Sequence, residues 1–196
     1  KRQRGLLRSL LRDKHGTPFE EGFFSFHIYA PRGVRDEHVR HRVGSYSSES
    51  SRYREIPRVC YIPPMHRPLK KVEGMKQMRP SYETYEEERY EEYKENMTAM
   101  YTTLFGWIDH IKTLGFDSTE AIRWGNPDGQ MIAYIARFNP RSLMHFLSLR
   151  THDDTANHVS YPMWEIEQVA RQIEEQFALS LPLSYEAFCE FGREAP

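Results

Sequence analysis

Arg40-His-Arg-Val-Gly-Ser-Tyr-Ser-Ser-Glu-Ser-Ser-Arg-Tyr53 is the stretch around which this chain is organised. It gathers Arg40, Arg42 and Arg52 about a hydroxyl-rich turn carrying Ser45, Ser47, Ser48, Ser50 and Ser51, in a chain whose formal net charge is only -1. Local positive charge without global positive charge points to a small anion. Guanidinium groups hold phosphate oxygens in a bidentate fork, and serine hydroxyls with free backbone N–H groups complete such a site. Three arginines near a loop also describe an ordinary solvated surface, so the flanking sequence has to decide between the two.

Working outward toward the N-terminus, a short helix from about residue 33 to 42 is expected to deliver the Arg-His-Arg triplet from its last turn. Residues 22 to 30 place Phe24, Phe26 and Ile28 on one face and Ser25 and His27 on the other, the period-2 pattern of a half-buried strand closed by Pro31. His15-Gly-Thr-Pro-Phe-Glu20 is a turn in which His15 and Thr17 read as capping groups. Leu6, Leu7, Leu10 and Leu11 recur at helical spacing and predict an amphipathic helix over 3–14.

Toward the C-terminus, residues 57 to 80 are rich in proline and read as an irregular, mobile connection of the kind that acts as a lid. From Tyr82 an acid-rich helix is expected through Thr113, with Tyr93, Met97, Met100, Tyr101, Leu104, Ile108 and Ile111 on one face. Gly115 ends it, Asp117 or Ser118 starts a short helix, Arg123 lies at that helix's end, and Asn126-Pro-Asp-Gly129 is a turn. A strand over 130–138 leads to Asn139 and Pro140, an N-cap and first helical residue for a helix through Arg150. In that helix Arg141 and His145 lie four apart and share a face. A long helix from Pro162 buries Trp164, Ile166, Val169, Ala170, Ile173 and Phe177, and a short helix begins near Ser184.

Composition narrows the function. The 196 residues suit one domain. A pI of about 6.8 disfavours a partner that is a nucleic acid polymer, and no apolar run reaches bilayer length, so no membrane role and a cytoplasmic location are expected. The mean hydropathy of -0.74 is polar for a compact monomer and suits an oligomer with water-filled sites. Cys60 and Cys189 lack metal-site spacing, and Glu87, Glu88, Glu91, Glu92 and His110 match no ligand motif, so no metal is expected. Neither a G-x-G-x-x-G nor a P-loop appears.

Four separated blocks resemble the flavin-dependent thymidylate synthase family in order: His15 to Glu20, Arg40 to Tyr53, Asn139 to Arg150, and Trp164-Glu-Ile166. The resemblance covers most of the chain from about Leu6 to Phe191. It implies an α+β fold, with a twisted, mostly antiparallel sheet flanked by helices, in a single domain over 1–196 that lacks the family's N-terminal strand. It also implies a homotetramer with active sites where subunits meet. In this family FAD takes a hydride from NADPH, 5,10-methylenetetrahydrofolate supplies the one-carbon unit, and the methyl group ends at C5 of a uridine 5′-monophosphate.

Carried over by residue, His15, Thr17, Arg40, His41, Arg42, Ser48, Asn139, Arg141 and His145 would bind the cofactor. Glu37, Arg40, Glu49, Ser50, Ser51, Arg52, Arg123 and Arg150 would bind the nucleotide, with Arg52 and Arg123 on its phosphate. Arg150 and Ser50 would serve catalysis, Arg150 by favouring the N3-deprotonated pyrimidine. The sequence departs from the family at Ser47-Ser48-Glu49, at Glu20-Glu21, at Arg32, Gly33 and Asp36, and at Trp124-Gly125-Asn126. These departures cluster around the nucleotide and leave dUMP and UMP both open as substrate, the latter as in the family's UMP-methylating branch of polyoxin-type antibiotic pathways. A flavin- or nucleotide-binding relative that has lost the reaction is the alternative from another class.

Overall fold

The computed structural model describes residues 2–67 and 86–196, together with the backbone of residues 70–71 and 82–83. The chain divides into two compact units. The first comprises residues 1–28, 37–46 and 135–196, and the second residues 29–36 and 47–134.

Helix α1 (Arg2–Arg12), strand β1 (Phe24–Pro31) and helix α2 (Arg32–His38) come first, followed by strand β2 (Ser45–Ser48). The short strands β3 (Lys70–Lys71) and β4 (Tyr82–Glu83), paired antiparallel, precede helices α3 (Glu87–Thr113) and α4 (Thr119–Ile122). Strand β5 (Met131–Phe138) then leads into α5 (Pro140–Arg150), α6 (Trp164–Ser180) and α7 (Pro182–Glu190). The main sheet is antiparallel with strand order β1-β5-β2, and with the helices it makes an α+β fold.

Central strand β5 alternates fully, burying Ile132, Tyr134, Ala136 and Phe138. Edge strand β1 buries less and tolerates Pro31 at its end, because a residue without an N–H costs nothing on an unpaired side. In the first unit α5 buries Leu143, Met144, Phe146 and Leu147, and α6 buries Ile166, Ala170, Ile173 and Phe177. In the second unit Phe105 and Ile108 of α3 meet Ile122 of α4 in a small core.

Several sequence expectations change. The helix before the triplet ends at His38, so Arg40, His41 and Arg42 lie in the turns beyond it. The chain reverses there through Gly44, where a Cβ would fall 2.6 Å from the Phe138 ring and 2.7 Å from the Tyr46 hydroxyl. Ser45–Ser48 is a strand rather than a turn, because pairing with β5 satisfies a backbone that serine side chains would otherwise bend. Tyr82 belongs to β4, and α3 starts only at Glu87.

On α3 the apolar stripe drifts: Met100 and Ile111 are exposed, whereas Phe105, outside the expected stripe, is buried. On α1 Leu11 is buried but Leu6 is exposed. The last helix begins at Pro182, with proline at its first position. Of the expected lid, residues 57–67 are irregular apart from a bridge of Cys60 to Gln130, and residues 68–69 and 72–80 lie outside those described.

Candidate functional site

Two groups of site candidates emerge, one on each unit. In the first unit Arg150, the last residue of α5, is held by two acceptors. Its Nε donates to His41 Nε2 at 2.8 Å, and its Nη1 donates to Glu37 Oε2 at 3.1 Å. Glu37 sits in the last turn of α2 and His41 in the turn that follows.

Aromatic packing fixes this corner. His38 stacks on Phe146 with centroids 4.5 Å apart, and His41 meets the same ring edge-on at 5.0 Å. The Tyr46 hydroxyl donates to the His41 carbonyl at 2.9 Å. Burial, then the charges of Arg150 and His145, push the His41 imidazole down to about 4. Burial, then His41 and Arg150, push His38 down to about 3. Both rings are therefore neutral at working pH, and because His41 Nε2 accepts, its proton resides on Nδ1.

Arg141 lies in the first turn of the same helix. Its Nε donates to the Pro196 carbonyl at 2.7 Å and its Nη1 donates to Glu20. The guanidinium rests against Gly16, where a Cβ would come within 2.7 Å of its carbon, so a larger residue there would push the Arg141 side chain aside. Asn139 caps the helix as its sequence predicts, its Oδ1 accepting from the Ser142 N–H at 2.8 Å. The side chains of His15 and Thr17, expected as caps, make no hydrogen bond among the described residues; Gly16 is the N-cap of the 3₁₀ turn over Thr17–Phe19. Arg40 and Arg42 are exposed and make no ion pair among the described residues, and His145 is exposed on α5.

In the second unit Arg52 Nε pairs with Glu120 Oε1 at 3.2 Å, and the Arg52 N–H donates to Ser50 Oγ at 3.3 Å. The Thr119 hydroxyl donates to the Arg52 carbonyl, tying the serine-rich segment to α4. Ser118 caps α4, and Arg123 is its C-cap, stacked over Trp124 at 5.5 Å. Glu49 pairs with Arg54 at 3.0 Å, while Ser48 is exposed and Ser51 half-buried.

The structure thus brings Glu37, His41 and Arg150 together, and separately draws Arg52, with Ser50 on its N–H, to the helix before Arg123. It gives Arg40 and Arg42 no ion pair among the described residues, whereas His145 lies near enough to act electrostatically on His41. Sequence reasoning missed His38 and Glu120; helical spacing three residues ahead of Arg123 was the available signal for Glu120. In the first unit the donor set of Arg40, Arg42, Arg141 and His145 is cationic or hydrogen-bonding and outward. That chemistry fits a group with phosphate and carbonyl oxygens such as a flavin dinucleotide.

The sequence model of the family described as Thymidylate synthase complementing protein matches residues 1–183. The chain belongs to that family. It is accordingly an enzyme of the methyltransferase type. Among the relatives of the family, the Flavin-dependent thymidylate synthase of Streptomyces coelicolor is 38% identical over 199 residues, covering 100% of this chain and 78% of the relative. That of Tropheryma whipplei is 35% identical over 195 residues, covering 98% of this chain and 79% of its own. A crystal structure of the UMP/dUMP methylase PolB from Streptomyces cacaoi, bound with 5-Br UMP, superposes with a TM-score of 0.94 at 36% identity, covering 100% of this chain and 85% of PolB. PolB bound with 5-Br dUMP superposes with a TM-score of 0.90, covering 98% and 81%. No helix among the described residues is long and apolar enough to cross a membrane.

Proposed function

We propose that this protein methylates C5 of a uridine 5′-monophosphate, either UMP or dUMP, in a flavin-dependent reaction that uses NADPH and 5,10-methylenetetrahydrofolate. It works as a cytoplasmic homotetramer. The observation that carries the reading is Arg150, a guanidinium held in a half-buried corner by one carboxylate and one neutral imidazole. The similarity to the PolB methylase over the whole chain supports the same substrate class.

Each residue group has a task. Arg52 and Arg123 take the nucleotide phosphate, with Ser50, Ser51 and Glu49 beside it. An incoming phosphate exchanges for Glu120 on Arg52, a small cost because that pair is half exposed. Arg150 lies against the pyrimidine and favours its N3-deprotonated form, which raises electron density at C5. Glu37 fixes the guanidinium and approaches the nucleotide. Ser50 orients the substrate by its hydroxyl. His15, Thr17, Arg40, Arg42, Ser48, Asn139, Arg141 and His145 form the cofactor side, Asn139 through the positive end of its helix. When bound, FAD relays reducing equivalents from NADPH, so that the transferred one-carbon unit ends as a methyl group.

Methylation at C5 replaces the C5 hydrogen, which leaves as a proton. Tritium release from C5-labelled UMP and dUMP, each with FAD, NADPH and methylenetetrahydrofolate, is therefore the direct test. Release is expected from at least one of them, and the faster nucleotide identifies the sugar. Release from neither, in a protein that still binds flavin and nucleotide, would make it a non-catalytic relative.

A further inference from the structure

The Arg-His-Arg triplet divides by exposure. Arg40 and Arg42 face solvent, whereas His41 is only 7% exposed. Its Nε2 is occupied by Arg150, its ring lies edge-on against Phe146, and its carbonyl is bound by Tyr46. We propose that His41 is a positioning residue that acts through Arg150 rather than a ligand of the flavin. This rests on the reading of Arg150 as the pyrimidine's cation.

The chemistry explains why an imidazole suits this place. Arg150 already has one carboxylate, Glu37, at 3.1 Å. A second carboxylate at position 41 would hold the guanidinium equally well but would cancel the charge that stabilises an anionic pyrimidine. A neutral imidazole accepts from Nε and leaves the cation's charge intact. With Nε and one Nη1 hydrogen engaged, the other guanidinium N–H groups stay available in a fixed plane for a carbonyl and ring nitrogen.

The groups facing His41 reinforce its neutrality: Arg150 and His145 from α5 oppose a further positive charge, and His38 of α2 is itself neutral. Among the described residues Glu37 is the carboxylate on these elements that pairs with Arg150, and Tyr46 of β2 is a hydrogen-bond donor here, its phenol pushed further up by burial. Protonation of His41 would turn the acceptor into a donor and drive Arg150 away.

The test uses the full-length protein and three variants: His41→Leu, with no acceptor; His41→Gln, with a neutral acceptor; and His41→Glu, with a charged one. Flavin binding is followed by flavin fluorescence, UMP and dUMP binding by calorimetry, and turnover by tritium release. His41→Leu is expected to bind flavin within about twofold of wild type while weakening nucleotide binding about tenfold, the scale of one charge-assisted hydrogen bond. His41→Gln should restore most of that affinity and remove its decline as the pH falls toward 4. His41→Glu should bind nucleotide but turn over slowly.

Loss of flavin from His41→Leu in step with lost activity, without rescue by glutamine, would overturn the proposal and return His41 to the cofactor. So would an unaltered nucleotide affinity in a His41→Leu protein that binds flavin normally. A wild-type protein that releases no tritium would sink the proposed reaction, yet the binding comparison would still decide the role of His41.

Discussion

His38 and His41 stand three residues apart, and the same corner of the first unit makes both into poor bases. The consequence for stability follows from the direction of that change. His38 in the folded protein protonates only near pH 3, against about 6.5 in an unfolded chain. Between those values the unfolded state binds more protons, so stability rises with pH and is lost progressively as pH falls from about 6.5 toward 3. A tenfold difference in proton affinity between the two states is worth roughly 1.4 kcal/mol. The melting temperature should therefore drop steadily from pH 7 to pH 4. His38→Phe, which keeps the stack on Phe146, should flatten that decline; an unchanged slope would remove His38 as its source. Arg150 was legible as a site residue because its motif block is local, and Glu37 because it stands just ahead of the Arg40 to Tyr53 block. The bond from Arg150 to His41 spans 109 residues and no periodicity reports it.

Secondary-structure elements were most readable where their signals are local. Asn139 and Pro140 announced α5, and the cap bond exists as expected. Asn139→Ala should cost about 1 kcal/mol in a urea titration, a loss of one satisfied N–H at the helix start. Gly115 likewise ends α3 with a positive φ of 89°, with the Phe116 N–H reaching back to the Ile111 carbonyl and the Gly115 N–H to that of Lys112.

Elements that depend on distant partners were less readable. The serine run became a strand because β5 pairs with it, and only the sheet supplies that fact. Gly129 looked like a turn residue, but it also lies under the Tyr101 hydroxyl, 2.1 Å from where a Cβ would be. Gly129→Ala should therefore cost about 1–3 kcal/mol through overpacking. Adding Tyr101→Phe should recover part of that loss, and a double-mutant cycle by denaturation measures it.

The fold class and the family were legible at the scale of the whole molecule because four motif blocks stand in register along the chain. The distribution of duties was not. The phosphate candidates Arg52 and Arg123 belong to one compact unit, and the pyrimidine and flavin candidates Arg150 and Arg141 to the other. Nor did the sequence disclose the ionic centre of the first unit. Arg193, 4% exposed, reaches Glu174 at 2.6 Å and the Thr151 hydroxyl at 2.6 Å, next in sequence to Arg150. Burial opposes its charge, but Glu174 outweighs that and raises its pKa. Arg193→Met leaves Glu174 without its closest cation and should cost about 3–5 kcal/mol, measured by urea unfolding. Removing an exposed pair such as Arg4 with Glu186 should change stability by less than about 1 kcal/mol.

Those exposed pairs have a further consequence. Arg4 meets Glu186 and Arg8 meets Glu190, a step of four residues on α1 matched by a step of four on α7. Such a ladder is degenerate: sliding one helix along the other by a single turn would offer each arginine the next glutamate. Equal spacing attracts the two helices without telling them where to stop. Alignment must come from what does not repeat, namely buried Leu11, Ala187 and Phe188, and the pair of Lys14 with Glu194, which lies beyond the end of α1 and out of its four-residue step.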